Sequence, residues 1–342
     1  MSTGQTVTVF GAYGYTGRFL VAELVARGYV PVLSGREPTK LQALAGAYPG
    51  LETRPANVED AASLDRALAG ADAVINAAGP FAVTAAPLVE AALRARVPYV
   101  DVAAEVDTVT EMFDRYGERA RAAGVTVVPA MAFYGGLGDL LVTAAMGDWA
   151  VADEARIAYG LDSWHPTPGT RSTIALIQQR GAGRLLCYRE GRLDYYDEAP
   201  PTSTWAFPAP LGEQPVIGEF NLADIATVPS HLKIPTVRGY LPLNAITDAT
   251  SPDTPAPVAV DERGRSAQQF VVDVVVLNGD AERRASAWGQ DAYAISAPLA
   301  VEAVHRILSG RAGTVGVAAA GALFDAADFL HALPDLAVEI SN

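Results

Sequence analysis

The chain has 342 residues, half of them apolar, and carries 25 Lys and Arg against 39 Asp and Glu for a net charge of −14. That length and apolar content suffice for two packed domains or one large α/β unit, and that charge repels duplex nucleic acid and anionic membrane alike. Cys187 is the only cysteine, which excludes an intramolecular disulfide and leaves Cys-based zinc ligation one thiolate short. The start "MSTGQTVTVF" lacks a basic segment leading into an apolar one, and no run of about 18 apolar residues follows. A cytoplasmic protein that engages neither nucleic acid nor membrane is expected.

Short runs rich in Val and Ile at 6–10, 29–34, 51–55, 72–78, 99–103 and 125–130 read as buried strands. Stretches of helical spacing separate them, such as Leu20, Val21, Leu24 and Val25 before Gly28. Strict β-α alternation implies a Rossmann doubly wound parallel sheet with right-handed crossovers, here over residues 1–132. Beyond that point the composition changes: 11 of the 23 prolines fall between Pro200 and Pro257, which forbids long helices there. A helix is expected at 169–182, hairpins at 184–196 and at 270–289 around Asn278-Gly279. Residues 133–290 thus read as a mixed α+β substrate and dimerisation domain, its strands mainly antiparallel hairpins. Residues 291–342 read as a helical segment returning to the first domain, and exposed hairpins predict a homodimer.

Gly11, Gly14 and Gly17 form G-x-x-G-x-x-G between the first strand and the first helix. In that setting Gly11 permits a sharp turn, Gly14 admits a pyrophosphate to the backbone, and Gly17 lets the helix pack on the strand. Tyr13, Tyr15 and Thr16 belong to the same cradle, Thr16 with a hydroxyl donor. An NAD site places an acid at the end of the second strand, about 20 residues on. Here that end reads Ser34, Gly35, Arg36, with Lys40 on the next turn, donors suited to a 2′-phosphate. NADP is the expected cofactor, although Glu37 keeps NAD open. Asn57 and Val58 after the third strand are placed to flank the adenine. Ala77, Ala78, Gly79 and Pro80 after the fourth leave room beside the chain, Phe81 is set to pack on the nicotinamide, and Ala103 closes the fifth strand on the same cleft.

The same turn occurs in short-chain dehydrogenases, but these use a Tyr-x-x-x-Lys pair. Only Lys40 and Lys233 exist, preceded four residues earlier by Arg36 and Pro229, so that class is excluded. The segments "GAYGYTGR" (11–18), "LSGR" (33–36), "VINAAGPF" (74–81), "YVDVAAE" (99–105) and "VVPAMAFYGGLGDLL" (127–141) resemble those of the saccharopine dehydrogenase-like oxidoreductases, trans-acting enoyl reductases included. "TPGTRST", "CYREGRL", "GQDAYAISA" and "GTVGVAAAGALFDAADFLHAL" extend the resemblance toward the C-terminus. It departs from the family pattern at Ala104, where glycine is usual, and at Met131-Ala132-Phe133-Tyr134 in place of a Cys-Gly-Phe-Asp-like loop.

The resemblance implies an NADP(H)-dependent oxidoreductase acting on a C=N or a C=C bond of a small metabolite, both chemistries remaining open. A non-catalytic NADP(H)-binding sensor or accessory protein is the alternative. Hydride transfer asks the protein mainly to hold the cofactor's reactive carbon against the substrate. A proton donor or anion holder is sought at Tyr134, His231 and Arg171, with His165 and Asp139 behind them. Asp139 is expected instead to support the helix opening at Gly138. His305 and His331 fall on C-terminal helices as ordinary positions. No ligand spacing for a metal stands out.

Overall fold

The computed structural model describes residues 4–179, 185–196 and 198–341. β1 (Thr6–Phe10), α1 (Tyr15–Ala26), β2 (Val30–Gly35), α2 (Pro38–Ala47), β3 (Thr53–Pro55), α3 (Ala61–Leu68), β4 (Ala73–Asn76), α4 (Phe81–Ala95), β5 (Tyr99–Asp101), α5 (Val106–Ala123) and β6 (Thr126–Val128) alternate along the first domain. Their strands are all parallel. The sheet winds outward in both directions from β1 and β4, which lie side by side. Right-handed crossovers then put α1 on one face and α4 with α5 on the other. Leu20, Val21 and Leu24 of α1 are fully buried, each worth about 1.5–3 kcal/mol of burial.

α6 (Gly138–Met146) leads into the second sheet. Its elements are β7 (Glu154–Leu161), α7 (Pro168–Gln179), β8 (Leu185–Arg189), β9 (Arg192–Tyr196), β10 (Thr202–Ala206), β11 (Glu213–Gly218), α8 (Asp224–Thr227), β12 (Val237–Pro242), α9 (Leu243–Thr250), β13 (Gln269–Asn278) and β14 (Ala281–Gln290). The hairpin β13–β14 turns at Asn278-Gly279, where Gly279 stands at φ +57, and β8–β9 turns at Glu190-Gly191. β7 pairs in parallel with β12 and antiparallel with β13, so this strand joins the hairpins on its two sides through non-local pairings in the middle of the sheet. The helix expected at 169–182 is α7; its last expected residues lie outside the described ones, as does residue 184 of the expected hairpin.

The tail expected to be helical is mixed. α10 (Ser296–Leu308) packs on α1, followed by β15 (Gly316–Val317), α11 (Ala320–Leu323), α12 (Ala326–His331) and β16 (Ala337–Ser341). β15 extends the first sheet in parallel beside β6, while β16 closes the second sheet antiparallel to β14. The tail therefore contributes a strand to each sheet. One apolar core runs through both, with a small second cluster of Ala158, Phe207, Val216 and Val271 on the outer face of the second sheet. Among the described residues no helix is long and apolar enough to cross a membrane.

Candidate functional site

The turn after β1 meets the turn after β4 at the point where the sheet changes winding direction, the place where open α/β sheets bind ligands. Gly11 stands at φ +89, and a Cβ there would lie 2.9 Å from the Ala77 backbone. At Gly17 a Cβ would lie 2.2 Å from the Gly11 carbonyl oxygen. Gly14 differs: its only neighbour is that same oxygen at 3.2 Å, so its outer side is open. Two glycines close the cradle and one leaves it accessible, the division a pyrophosphate at a helix N-terminus requires. Thr16 sits half-buried in the first turn of α1.

At the end of β2 the Tyr13 ring lies on Gly35, where a Cβ would come within 2.8 Å of it. The Lys40 ammonium stands 5.5 Å from the centre of the Tyr13 ring. A cavity of about 240 Å³ is lined there by Tyr13, Arg18, Lys40, Ala43, Leu44 and Ala47. Arg36 is 78% exposed and only loosely paired with Glu37 at 3.8 Å, leaving its guanidinium open for a phosphate. Ser34 does not join this set. It is buried and its hydroxyl donates to the Arg54 carbonyl at 2.8 Å, because a residue in a parallel strand flanked on both sides, as β2 is by β1 and β3, is covered on both faces. Asn57 is exposed beside the end of β3, but its side-chain oxygen accepts from Glu59 N–H at 3.3 Å and shapes the turn into α3. Val58 is half-buried next to it.

Ala77 and Ala78 line the cleft half-buried, Gly79 is exposed, and Pro80 leads into α4. The Phe81 N–H donates to Glu105 Oε1 at 3.1 Å, and the Thr173 hydroxyl of α7 approaches the same oxygen at 3.5 Å. Glu105, which the sequence reading passed over, thus ties the loops after β4 and β5 to the second domain. Ala103 is fully buried, with its N–H on Asp101 Oδ1 at 3.0 Å; its half-buried neighbour Ala104 borders the cleft in its place. Asp101 organises this floor. It accepts from Ala103, from Ala130 at 2.8 Å and from the Tyr99 hydroxyl at 2.9 Å, and burial pushes its carboxyl up to about 6 despite those donors. The sequence reading passed over Asp101 as well, although an Asp inside a short Val-rich strand is a signal that could have found it.

The three catalytic candidates separate. The Arg171 guanidinium donates to the Ser251 carbonyl at 3.2 Å and the Thr254 carbonyl at 2.6 Å, so it holds the 251–254 loop and is not available as an anion holder. His165 likewise meets the Pro255 carbonyl at 3.1 Å. His231 Nε2 lies 2.7 Å from Asp139 Oδ1, and Asp139 Oδ2 accepts from Gly321 N–H at 2.7 Å. Gly321 follows β15, four places from β1 in the sheet. His231, with 12% of its side chain exposed, is therefore a partner joining α6, α11 and the turn after α8, and Asp139 supports that junction rather than capping its own helix.

Tyr134 remains. Its ring packs against Phe133 at 4.9 Å, Tyr159 at 4.8 Å and Trp164 at 6.0 Å between centroids. Its hydroxyl is sealed from solvent without a hydrogen-bond partner, and burial pushes its pKa well up. The Trp164 indole N–H donates to the Tyr293 hydroxyl at 2.8 Å, and the Tyr293 ring stands edge-on to Tyr15 at 5.6 Å. An aromatic path therefore runs from the glycine turn to Tyr134. Asp291 anchors its start: Oδ2 accepts from the Tyr15 hydroxyl and from Ser266 N–H, both at 2.7 Å, and Oδ1 from Tyr293 N–H at 3.0 Å. Among the described residues no group of three or more His, Cys, Asp or Glu is arranged to hold a metal.

Together the winding, the glycine turn at the switch point and the open guanidinium after β2 define a dinucleotide-binding α/β protein. Residues 7–128 match the family model of the saccharopine dehydrogenase NADP-binding domain. Over those residues the first domain is similar to that NADP-binding family, and the chain is similar to saccharopine dehydrogenase-like oxidoreductases. One relative is the "Probable mitochondrial saccharopine dehydrogenase-like oxidoreductase" of Arabidopsis thaliana, 28% identical over 37% of this chain and 31% of its own length. Another is the "Lipid droplet localized protein" of Caenorhabditis elegans, 31% identical over 36% of this chain and 32% of its own. The alignments thus span about a third of these curated relatives. Among solved structures, the apo form of AtPrR2 aligns at 22% identity over 39% of this chain and 52% of that one, with a TM-score of 0.31. The expectation of a cytoplasmic protein is corrected by these comparisons, since the relatives whose names give a location are mitochondrial and lipid-droplet proteins.

Proposed function

We propose that this chain is an NADP(H)-dependent oxidoreductase that moves a hydride to or from a C=N or C=C bond of a small metabolite, with Tyr134 meeting the substrate's polar atom. When bound, the nicotinamide supplies the hydride. The chain's own residues do the rest. Gly11, Gly14 and the start of α1 receive the pyrophosphate, Arg36 and Lys40 the 2′-phosphate, and Ala77, Ala78 and Phe81 the side of the cleft. The observation that carries the reading is the aromatic path from Tyr15 to an unpartnered Tyr134 hydroxyl. A buried hydroxyl without a partner costs about 1–3 kcal/mol, a penalty that a carbonyl oxygen or imine nitrogen at that position would relieve.

The test is NADPH absorbance followed against a panel of cyclic imines, imino acids and enoyl thioesters. Turnover by one class, lowered about 10²- to 10⁴-fold in Tyr134→Phe with NADPH affinity retained, supports the reading. Because Arg171 and His231 are both engaged elsewhere, a second reading stands: a sensor that binds NADP(H) without turnover. Tight NADPH binding with no reaction across the panel favours it. We also propose a homodimer through the second sheet, whose end strands β10 and β16 each pair on one side only among the described residues. Light scattering at the mass of one chain would refute it.

A further inference from the structure

The loop that carries Tyr134 is built around a carboxylate on α8. Gly135 stands at φ +95, a conformation that favours glycine, and its N–H points at the Tyr159 hydroxyl at 3.4 Å. Tyr159, on β7, donates that hydroxyl to Asp224 Oδ1 at 2.8 Å. Gly138 leaves the space these two groups fill: a Cβ there would lie 2.0 Å from Asp224 Oδ1 and 2.5 Å from the Tyr159 oxygen. Gly138 therefore owes its missing side chain to the passage of the Tyr159–Asp224 pair beneath the loop, while Gly135 answers to its positive φ and to Ala130 and Ala223, whose side-chain carbons a Cβ would meet at 2.8 and 3.0 Å.

Asp224 itself is fully buried on the four-residue helix α8, and its Oδ2 has no partner. Burial pushes its carboxyl up to about 7. A group held at such expense, bonded to a side chain that touches both the Gly135 amide and the Tyr134 ring, acts on that loop. We propose that Asp224 is a positioning residue: through Tyr159 it sets where the Gly135 backbone, and with it Tyr134, stands against the substrate. This builds on the reductase reading of Tyr134, yet the clamp is a property of the loop and is measurable without turnover.

The experiment uses the full chain saturated with NADPH and reads hydrogen exchange of the 131–138 backbone beside kcat, KM and NADPH affinity. Tyr159→Phe removes the link, Gly138→Ala pushes the carboxylate off from the opposite side, and Asp224→Asn keeps an oxygen for Tyr159 to donate to. Faster exchange of 131–138 is expected in the first two, with kcat lowered about tenfold to a hundredfold, the scale of a small misplacement. NADPH affinity should stay within about twofold, and Asp224→Asn should retain most of the protection while Asp224→Leu loses it. Unchanged exchange in Tyr159→Phe overturns the proposal, and so does Asp224→Asn behaving like Asp224→Leu. Should Gly138→Ala fail to fold, the Tyr159 and Asp224 variants decide alone. Faster loop exchange in a protein that turns over no substrate supports the clamp and counts against the reductase reading.

Discussion

The Tyr15 hydroxyl donates to the Asp291 carboxylate at 2.7 Å across 276 residues of sequence. This bond joins the first residue of the helix that opens on the cradle to the loop between β14 and α10, and Asp291 in turn aligns Ser266, Tyr293 and Ala294 through their N–H groups. Burial, then the Asp291 carboxylate, raises the Tyr15 pKa, so the phenol stays a donor at any physiological pH. Tyr15→Phe should lower stability by about 1.5–3 kcal/mol, the scale for a hydrogen bond to a charged group. Equilibrium urea unfolding checks this: an unchanged midpoint would show the bond to be incidental.

The three cradle glycines should respond differently to a methyl group. Gly17→Ala drives its Cβ to 2.2 Å from the Gly11 carbonyl oxygen, an overlap that forces helix and strand apart and costs about 1–3 kcal/mol or more. Gly14→Ala meets only one oxygen at 3.2 Å, at an ordinary φ of −65. Its fold should lose no more than about 1 kcal/mol. The added methyl nevertheless enters the side left for the pyrophosphate, so NADPH affinity should fall at least about tenfold, or 1.4 kcal/mol. Thermal unfolding and ligand titration on the same two variants separate packing from binding.

How much of this was legible in the chain depended on how local each cause is. Gly11 and Gly17 answer to atoms within a few residues or on the adjoining strand, and Arg36 to its place at the end of β2, so the cradle could be read from spacing. Ser34 was misassigned because strand-end position says nothing of which atoms cover it. Arg171 and His231 were read as free groups; their partners lie 80 and 92 residues away. Asp224 was missed for the same reason, its bond to Tyr159 spanning 65 residues. β15 has two residues, too few for any periodic signal, and only its pairing with β6 defines it as a strand.

Arg36→Ala tests cofactor choice. The guanidinium is exposed and its one nearby acid, Glu37, sits at 3.8 Å, so its removal should leave the fold intact. NADP affinity should weaken by about 1.5–3 kcal/mol, while NAD, which lacks the 2′-phosphate, should be nearly unaffected. Isothermal titration with both dinucleotides measures the difference. Equal losses for NADP and NAD would place the 2′-phosphate elsewhere, with Lys40 and Arg18 beside Tyr13 the next groups to test.

The His231–Asp139 pair predicts a pH dependence with a definite sign. Burial lowers the imidazole pKa, but the Asp139 carboxylate at 2.7 Å more than offsets it, and the net value is raised above 6.5. The folded chain then binds this proton more tightly than the unfolded chain, so its stabilisation is complete below about pH 6.5 and is lost as pH rises through the folded value. His231→Asn should therefore cost about 1.5–3 kcal/mol at pH 6, where a charged hydrogen bond is removed, and about 0.5–1.5 kcal/mol at pH 9, where the bond is to neutral imidazole. Denaturant unfolding of both proteins across that range gives the difference directly. A gap that widens toward pH 9 would mean that His231 is buried neutral, with its proton set by desolvation rather than by Asp139.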